Sequence, residues 1–410
     1  MSAPVSGPAS GLPARIAAMG LIDAAMARRG GLDVAMNEPA VRGLSPEDRG
    51  FARALAMAVL RRLGSIDRIL DSRLQRPPPE PVRALLRIGL AQMLYLDVPD
   101  FAAVSTTVKL AERDIKTRSF KGLINGVLRG LGREAPAEPA PDADIPPWLF
   151  ARWSAQFGVD QAQAIALNAR VEPPADLNLK PSADAAVLAE ALPGEILPGG
   201  TVRTRRGGVL DPPVAALEAG PAGHVAAAPG GKTLQLAASG ATVTALDRSE
   251  PRLRRLRANL ARTGLEAEVV VADGETWADE RTFDAVLLDA PCTATGTLRR
   301  NPEALYALGP AEIAKLADVQ HRLLDAAAAR VKPGGRLVYC VCSLEREEGE
   351  TQILAFLRRN PEFALTPADA DAVGAPSEAL AEEGWLRLHP GQWPERGGLD
   401  GFFVARLERG

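Results

Sequence analysis

Residues 224–247 read HVAAAPGGKTLQLAASGATVTALD, and this stretch decides the fold of the larger part of the chain. A short apolar run at His224–Ala227 leads into a Pro-Gly-Gly turn, a helical segment and a second apolar run at Ala241–Leu246. Strand, glycine turn, helix and strand in this order are typical of a βαβ unit, whose strands are parallel and buried on both faces. We therefore predict an α/β domain built on a doubly wound sheet.

The same alternation continues downstream. Apolar runs bounded by turns predict three further strands, at Ala267–Val271, Ala285–Leu288 and Arg336–Val341. Helices are predicted between them at Glu250–Arg262 and Pro310–Val331. Because such sheets bind ligands at the carboxyl ends of their strands, the residues that follow each strand are the candidate site residues.

The first third of the chain has a helical pattern. Apolar residues recur every three or four positions, most clearly in Asp48–Leu63, and no alternating strand pattern is present. Further helices are predicted at Val82–Leu96, Ala102–Glu112, Phe120–Leu131 and Leu149–Asn168. The predicted organisation is an all-α domain over 1–135, a Pro- and Ala-rich acidic linker over 136–147, a small connecting subdomain over 148–205 and the α/β domain over 206–410.

Charge is distributed unevenly between these parts. Residues 1–135 hold 20 Lys and Arg against 13 Asp and Glu, whereas the whole chain has a net charge of −3. A basic unit attached to an acidic body suggests contact with a polyanion such as nucleic acid. An arginine-rich solvated helical surface accounts for the same charge equally well.

Composition indicates the compartment. Hydrophobic residues make up 46% of the chain, yet no apolar run approaches the ~18–20 residues that span a bilayer. The start, Met1–Pro13, lacks the pattern of a secretory signal. The 3 cysteines in 410 residues argue for a reducing environment. We predict a cytoplasmic protein without a membrane partner.

The loop after the first strand reads Ala226-Ala227-Ala228-Pro229-Gly230-Gly231-Lys232-Thr233. Its small residues and glycines let backbone N–H groups approach a ligand closely. It is not a triphosphate-binding loop, because Ala226 stands where that motif needs glycine, and the GxGxxG dinucleotide pattern is also absent. An ordinary β–α turn remains the alternative.

Acidic residues end the next two strands. Asp247 is placed to accept hydrogen bonds from the hydroxyls of a ribose, and Asp273 from an adenine amino group. Each alone is more often a helix cap or a turn residue. Both together, after a glycine-rich turn, indicate an adenosine cofactor lying across the sheet.

Two cysteines follow the last two predicted strands. Cys292 closes the segment Asp289-Ala290-Pro291-Cys292, and Cys342 lies in Tyr339–Ser343. Their spacing fits neither a zinc knuckle nor the PCxxC deaminase pattern, since Thr295 stands at the second position of the latter. Cys340 is interpreted as a packing residue that lines the floor of the pocket.

Paired thiols have a use in the methylation of cytosine. Carbon 5 of this base is not nucleophilic until a thiolate adds to carbon 6, and a base must later remove the carbon 5 proton. An acid such as Asp289 can hydrogen-bond the N3/N4 edge and stabilise the protonated ring. A sulfonium donor favours a nearby thiolate.

The motifs resemble those of the RNA cytosine-C5 methyltransferases of the NOL1/NOP2/Sun type. The matching segments of the catalytic part are Ala227–Thr233 (AAPGGKT), Asp289–Cys292 (DAPC), Thr295–Pro302, Tyr339–Ser343 and Asp400–Phe403 (DGFF). Upstream, Leu60–Arg62, Leu86–Leu94 and Asn125–Arg129 resemble a NusB-like RNA-binding domain.

The resemblance implies an all-α NusB-like domain followed by a Rossmann-like class I methyltransferase domain. It also implies that the protein acts on RNA, with 16S rRNA as the expected substrate. It implies that Cys342 is the nucleophile, that Cys292 assists release of the product and that Asp289 takes part in catalysis. S-adenosylmethionine would be bound by Ala226, Ala227, Ala228, Pro229, Gly230, Gly231, Lys232, Asp247, Asp273 and Asp289. No metal and no obligate protein partner are implied.

Three departures from the family pattern are present. His224 and Ala226 replace an aspartate, which helps to hold the methionine end of the cofactor, and a cysteine before the glycine loop. Val341 replaces a threonine before the nucleophile, and Leu210-Asp211 replaces Gln-Asp before the first strand. The changes at His224 and Val341 motivate a second hypothesis, a catalytically idle RNA-binding factor of ribosome assembly. The retention of both cysteines, the three acids and the glycine loop favours the enzyme.

Overall fold

The structure, a computed structural model, describes residues 11–27, 31–134, 136–177, 184–198, 200–204, 223–225 and 230–410. The chain forms two compact units. The first comprises the residues up to Val171 together with Asn301–Ala307, and the second comprises Glu172–Arg300 and Leu308–Gly410. Among the described residues, no helix is both long and apolar enough to cross a membrane.

The first unit is helical, as predicted. Its core contains fully buried side chains such as Leu55, Leu86 and Leu128, which the three- and four-residue spacing places on one face of each helix. The helices are α1 (Leu12–Met26), α2 (Gly31–Ala35), α3 (Pro39–Arg42), α4 (Pro46–Arg61), α5 (Leu63–Asp71), α6 (Glu80–Tyr95), α7 (Asp100–Arg113), α8 (Lys121–Arg133), α9 (Pro147–Phe157) and α10 (Val159–Ala169).

The single helix predicted at Leu149–Asn168 is wrong. Two helices, α9 and α10, meet at Gly158, whose φ is +86°. A residue with a Cβ rarely adopts this backbone conformation, so the glycine ends one helix and lets the next begin in a new direction. An apolar pattern that continues across a single glycine does not reveal such a break.

The acidic segment after α8 is held by a buried ion pair. The Asp144 carboxylate accepts hydrogen bonds from Arg170 Nε at 2.6 Å and from the backbone N of Ser65 at 2.6 Å. The side chains of Arg170 and Asp144 are only 3% and 2% exposed. Residues 136–171 therefore group with the helices of the first unit. The boundaries at 135, 147 and 205 stay predictions.

The second unit begins with a small antiparallel sheet and continues with a large one. The small sheet has the strand order β1-β3-β2. Its elements are β1 (Asp176–Leu177), α11 (Ala185–Ala191), β2 (Gly194–Ile196) and β3 (Val202–Thr204). The elements that follow are β4 (Gly223–Val225), α12 (Gly231–Ala238), β5 (Thr244–Asp247), α13 (Glu250–Thr263), β6 (Glu268–Val271), β7 (Phe283–Asp289), α14 (Ala304–Ala307, which lies in the first unit), α15 (Pro310–Ala328), β8 (Val331–Val341), α16 (Glu350–Arg359), β9 (Phe363–Thr366), α17 (Ala370–Val373), β10 (Leu386–Leu388) and β11 (Phe402–Arg409).

The large sheet has the strand order β6-β5-β4-β7-β8-β11-β10, with β9 also paired to β11. The strands from β6 to β8 are parallel, and β11 runs antiparallel to β8. Strand β4 pairs with both β5 and β7, so the order of winding reverses between β4 and β7. A crevice for ligands is expected at the carboxyl ends of the strands beside this reversal. The predicted α/β class is confirmed, and each of the five predicted strands overlaps an observed strand. Ala226 and Ala227 of the first lie outside the described residues. The last, β8, begins at Val331, five residues before its predicted start, because the Pro-Gly-Gly segment lies inside the strand.

The helix predicted at Pro310–Val331 is three residues shorter, since α15 ends at Ala328. Val331 already pairs with Phe283 in the sheet, and tertiary pairing therefore overrides the helical pattern at this end. The edge strands β9 and β10 were not predicted.

Candidate active site

Two cysteines meet where β7 and β8 end. The two strands are in parallel register, with Asp289 opposite Cys340, and the backbone N of Ala290 donates to the carbonyl of Cys340 at 3.0 Å. This register brings the loops that leave both strands side by side. The Sγ atoms of Cys292 and Cys342 are 3.5 Å apart, and both cysteines are free thiols. The structure therefore brings together the two thiols that the sequence singled out.

The two thiols are electrostatically unequal. The hydrogen bond from Cys292 lowers the pKa of the Cys342 thiol, against the opposing effect of burial. The same hydrogen bond, together with burial, raises the pKa of Cys292 well above its ordinary value. Cys292 therefore holds the shared proton more firmly, and Cys342 is the thiol that ionises more readily. A thiolate is the nucleophilic form of cysteine.

Cys340 is buried, in agreement with the predicted packing role, and only 2% of its surface is exposed. Its Sγ lies 3.6 Å from the Asp289 carboxylate, and burial raises the pKa of its thiol well above the ordinary value. Cys340 is thus held as a neutral thiol beneath the acid.

Lys232 forms an ion pair with the acid Asp289. Its ammonium donates to Asp289 Oδ2 at 2.8 Å and lies 5.1 Å from the centre of the Phe402 ring on β11. Burial lowers the pKa of Lys232, but opposing interactions, led by the charge of Asp289, outweigh burial and raise it. A permanent cation at this position in turn helps to lower the pKa of Cys342.

The three predicted cofactor acids lie at the carboxyl ends of parallel strands. Asp247, Asp273 and Asp289 occupy or follow the carboxyl ends of β5, β6 and β7. Asp247 is 4% exposed and accepts a hydrogen bond from the backbone N of Ser249 at 2.8 Å, whereas Asp273 is exposed. Carboxylates in this row match the donors that the ribose and the adenine of a nucleoside present. The residues present therefore fit an adenosine cofactor.

The glycine loop is described only in part. Gly230 has φ +118°, and a Cβ at this position would lie 2.6 Å from Leu256 Cδ1, so both backbone conformation and packing require glycine. Gly231 and Lys232 begin α12. The predicted residues Ala226, Ala227, Ala228 and Pro229 lie outside the described residues, as does the side chain of His224.

Sequence reasoning missed the groups that support the thiols. A buried carboxyl, Glu348, accepts hydrogen bonds from Thr293 and Gln320 directly behind the cysteine pair. Glu348 lies in a run of four glutamates over residues 345–350, and nothing in the sequence distinguishes it from the other three. Within the described part of the chain, no group of three or more His, Cys, Asp or Glu could hold a metal ion.

Two glycines hold the nucleophile loop against the start of β11. The backbone N of Gly296 donates to the carbonyl of Cys342 at 3.0 Å, and the backbone N of Gly401 donates to the carbonyl of Gly296 at 2.7 Å. A Cβ on Gly296 would lie 2.2 Å from the carbonyl oxygen of Gly401. The close approach explains why glycine stands in both matching segments.

Comparison with known proteins agrees with this arrangement. Residues 223–408 match the family described as 16S rRNA methyltransferase RsmB/F, and residues 13–133 match the NusB family. Ribosomal RNA small subunit methyltransferase B of Xanthomonas campestris pv. campestris is 37% identical over 443 aligned positions, which cover 97% of this chain and 98% of that protein.

Solved structures show the same fold. PH0851 superposes with a TM-score of 0.72 at 23% identity, over 100% of both chains. A methyltransferase homologue from Pyrococcus horikoshii gives a TM-score of 0.51 at 24% identity, over 68% of this chain and 98% of its own. At these identities the likeness concerns the fold alone.

Proposed function

Because the chain belongs to the RsmB/F family of 16S rRNA methyltransferases, we propose that it methylates carbon 5 of a cytosine in RNA, namely 16S rRNA. The proposed methyl donor is S-adenosylmethionine. The observation that carries the proposal is the 3.5 Å separation of the Cys292 and Cys342 Sγ atoms beside Asp289. Two thiols in contact, one of which ionises more readily than the other, are what addition to a pyrimidine followed by release requires.

Cys342 begins the reaction. Its thiolate forms a bond to carbon 6 of the cytosine, and the displaced electron pair passes into the ring, where N3 takes up a proton from solvent. The Asp289 carboxylate lies 3.6 Å from the neighbouring Cys340 thiol and accepts hydrogen bonds from the protonated N3 and the N4 amino group. Carbon 5 becomes nucleophilic as a result.

S-adenosylmethionine, when bound, supplies an electrophilic methyl group on a positively charged sulfur. Asp247 and Asp273 would bind its nucleoside part, and the loop that ends at Gly230 and Gly231 would approach its amino-acid part. Asp247, Asp273 and the glycine loop follow β5, β6 and β4, which lie in the same parallel set as β7 and β8, with β4 next to β7. Carbon 5 and the methyl group would therefore meet at the same end of the sheet.

Cys292 acts second. Once Cys342 is bound to carbon 6, its sulfur is a neutral thioether, and the hydrogen bond and negative charge that raised the pKa of Cys292 are gone. Cys292 then loses its proton to solvent more readily and, as a thiolate, removes the proton from carbon 5. The carbon 5–carbon 6 double bond forms again as Cys342 leaves as the thiolate, and N3 returns its proton to solvent. Because the two thiols share one proton, Cys342 acts first as the nucleophile and Cys292 acts afterwards as the base.

The RNA is proposed to bind the basic helical unit and to present an unstacked cytosine to the catalytic unit. Extruding a base costs a few kcal/mol, and less from a single-stranded loop than from a helix. Residues such as Lys116 and Arg118 near the end of α7 are exposed and can contact phosphates.

Methyl transfer to purified 16S rRNA tests the proposal. The wild type should transfer labelled methyl from S-adenosylmethionine, and digestion should recover the label as 5-methylcytidine. Cys342→Ala should transfer none, whereas Cys340→Ala, which removes the packing thiol, should retain transfer. Absence of label with the wild type, or label in any other nucleoside, contradicts the proposal. Mapping 5-methylcytosine in a deletion strain would name the position.

A further inference from the structure

A buried carboxyl group lies behind the two thiols. Glu348 ends the short turn Arg346–Glu348 after β8, and its residue surface is 0% exposed. Its carboxylate accepts hydrogen bonds from the backbone N of Thr293 at 3.0 Å and from Gln320 Nε2 at 2.9 Å, and the Thr293 hydroxyl also donates to it. A buried carboxylate is tolerated only with partners of this kind.

This cluster contacts the residue next to each thiol. Thr293 follows Cys292 and Ser343 follows Cys342, and their hydroxyl oxygens are 3.1 Å apart. Gln320 Nε2 also donates to the carbonyl of Pro291 at 2.8 Å. The backbone is therefore held on both sides of Cys292 by groups that converge on one carboxylate.

We propose that Glu348 is a positioning residue for the reaction, which holds Cys292 against Cys342 and keeps the shared proton on Cys292. The inference rests on the thiol roles given under Proposed function. Glu348 touches neither substrate nor cofactor in this scheme and acts through Thr293 and Gln320.

The charges around the pair support the direction of this effect. The pKa of Cys292 is raised first by its hydrogen bond to Cys342, next by burial, and further by the negative charges of Cys342 and Glu348. Burial raises the pKa of Glu348 itself, although three side-chain donors oppose the rise. The ionisable groups that surround the pair are Lys232 on α12, Asp289 on β7, Tyr339 and Cys340 on β8, Glu348 in the turn and Arg387 on β10.

Thiol alkylation in the full chain, without RNA or cofactor, tests this role. Iodoacetamide would be applied over a range of pH, and peptide mass spectrometry would give separate rates for Cys292 and Cys342. In the wild type, Cys342 should react at lower pH than Cys292. Glu348→Gln should narrow the gap in apparent pKa between the two thiols, because the charge that disfavours ionisation of Cys292 is removed. Each pKa unit by which the gap closes should lower the Cys342-to-Cys292 rate ratio about tenfold.

Glu347→Gln is the matched control. It makes the same substitution one residue away, at a position outside the cluster, and should leave both profiles as in the wild type. Thr293→Val removes the bridging hydroxyl at nearly constant size, and it should also narrow the gap. Thermal unfolding would verify that each variant is folded, and Thr293→Val decides the outcome if Glu348→Gln does not fold.

The inference is supported if the gap in apparent pKa between Cys292 and Cys342 narrows in Glu348→Gln and Thr293→Val and stays unchanged in Glu347→Gln. Equal gaps in the folded variants and the wild type overturn it, and leave the proposed methyl transfer untouched because alkylation involves no RNA. A wild type that alkylates normally and transfers no methyl group instead overturns the proposed function. For activity, Glu348→Gln should lower kcat and leave the KM for S-adenosylmethionine unchanged, as expected for a residue that acts on the thiols alone.

Discussion

The Sγ atoms of Cys292 and Cys342 lie 3.5 Å apart, although the residues are 50 positions apart in the chain. The parallel register of β7 and β8 produces this proximity, since each cysteine lies in the loop just beyond the end of its strand. Such a contact lets one thiol donate to the other, and it lowers the pKa of Cys342 while it raises the pKa of Cys292.

The first prediction concerns the pH dependence of methyl transfer. The pKa of Cys342 is lowered chiefly by the hydrogen bond from Cys292, so the thiolate persists as pH falls and is lost only when pH passes below this lowered pKa. The single-turnover rate should therefore fall on the acid side at a lower pH than the pKa of an ordinary cysteine. Cys292→Ala should move this fall in rate to higher pH, and Cys292→Ser, which keeps a donor, should move it less. Identical pH profiles on the acid side in all three proteins would contradict the hydrogen bond as the cause.

The second prediction concerns cofactor binding. Asp247→Asn should weaken binding of S-adenosylmethionine by roughly ten- to a hundredfold, because hydrogen bonds to a charged group contribute about 1.5–3 kcal/mol. Titration calorimetry measures this directly. Glu250→Gln, an exposed change at the start of α13, is the control and should leave the Kd as it is. An unchanged Kd in Asp247→Asn would remove this residue from the cofactor site.

The third prediction concerns the glycine contact that holds the nucleophile loop. Gly296→Ala should destabilise the fold by about 1–3 kcal/mol, because its Cβ would collide with the backbone of Gly401. The backbone hydrogen bond from residue 296 to Cys342 should be disturbed as well, so alkylation of Cys342 should change. Gly309→Ala, where the added Cβ would meet nothing within 4 Å, should shift stability by less than about 0.5 kcal/mol. Equal denaturant midpoints for the two variants would refute the steric argument.

The fourth prediction concerns RNA. Lys116→Gln and Arg118→Gln should each weaken RNA binding and reduce the slope of log K against log salt by about 0.7–0.9 if the residue contacts one phosphate, since each contact releases counterions. Lys315→Gln on α15, where the side chain is 72% exposed, should leave the slope unchanged. Slopes that change only in Lys315→Gln would place the RNA on the catalytic unit.

Most of the fold follows from the sequence because buried strands and glycine turns alternate with helices in it. The predicted strands at β5, β6 and β7 agree with the structure within three residues, since their apolar runs lie between turn residues. The start of β8 was predicted five residues too late, because Pro333-Gly334-Gly335 resembles a turn but lies inside the strand. The break at Gly158 was missed because the apolar pattern continues on both sides. Strands β9 and β10 were missed because they are short and lie at the edge of the sheet, where pairing with β11 rather than local pattern defines them.

The site residues that belong to sequence motifs were predictable, whereas those that are placed by tertiary packing were not. Cys292, Cys342 and Asp289 follow predicted strands, and their proximity follows from the parallel order of β7 and β8. The role inferred for Glu348 depends on distances to Thr293 and Gln320, which lie on other elements. No local pattern encodes such long-range hydrogen bonds.

Trapping of RNA by Cys292→Ala tests the central claim most directly. Without the second thiol, carbon 5 keeps its proton after methyl transfer, and Cys342 cannot leave. The variant incubated with 16S rRNA and S-adenosylmethionine should therefore accumulate a covalent protein–RNA complex that withstands a denaturing gel, and Cys342→Ala should form none. A complex formed by Cys342→Ala but not by Cys292→Ala would show that the two roles are reversed, and the absence of a complex in both would contradict the covalent mechanism.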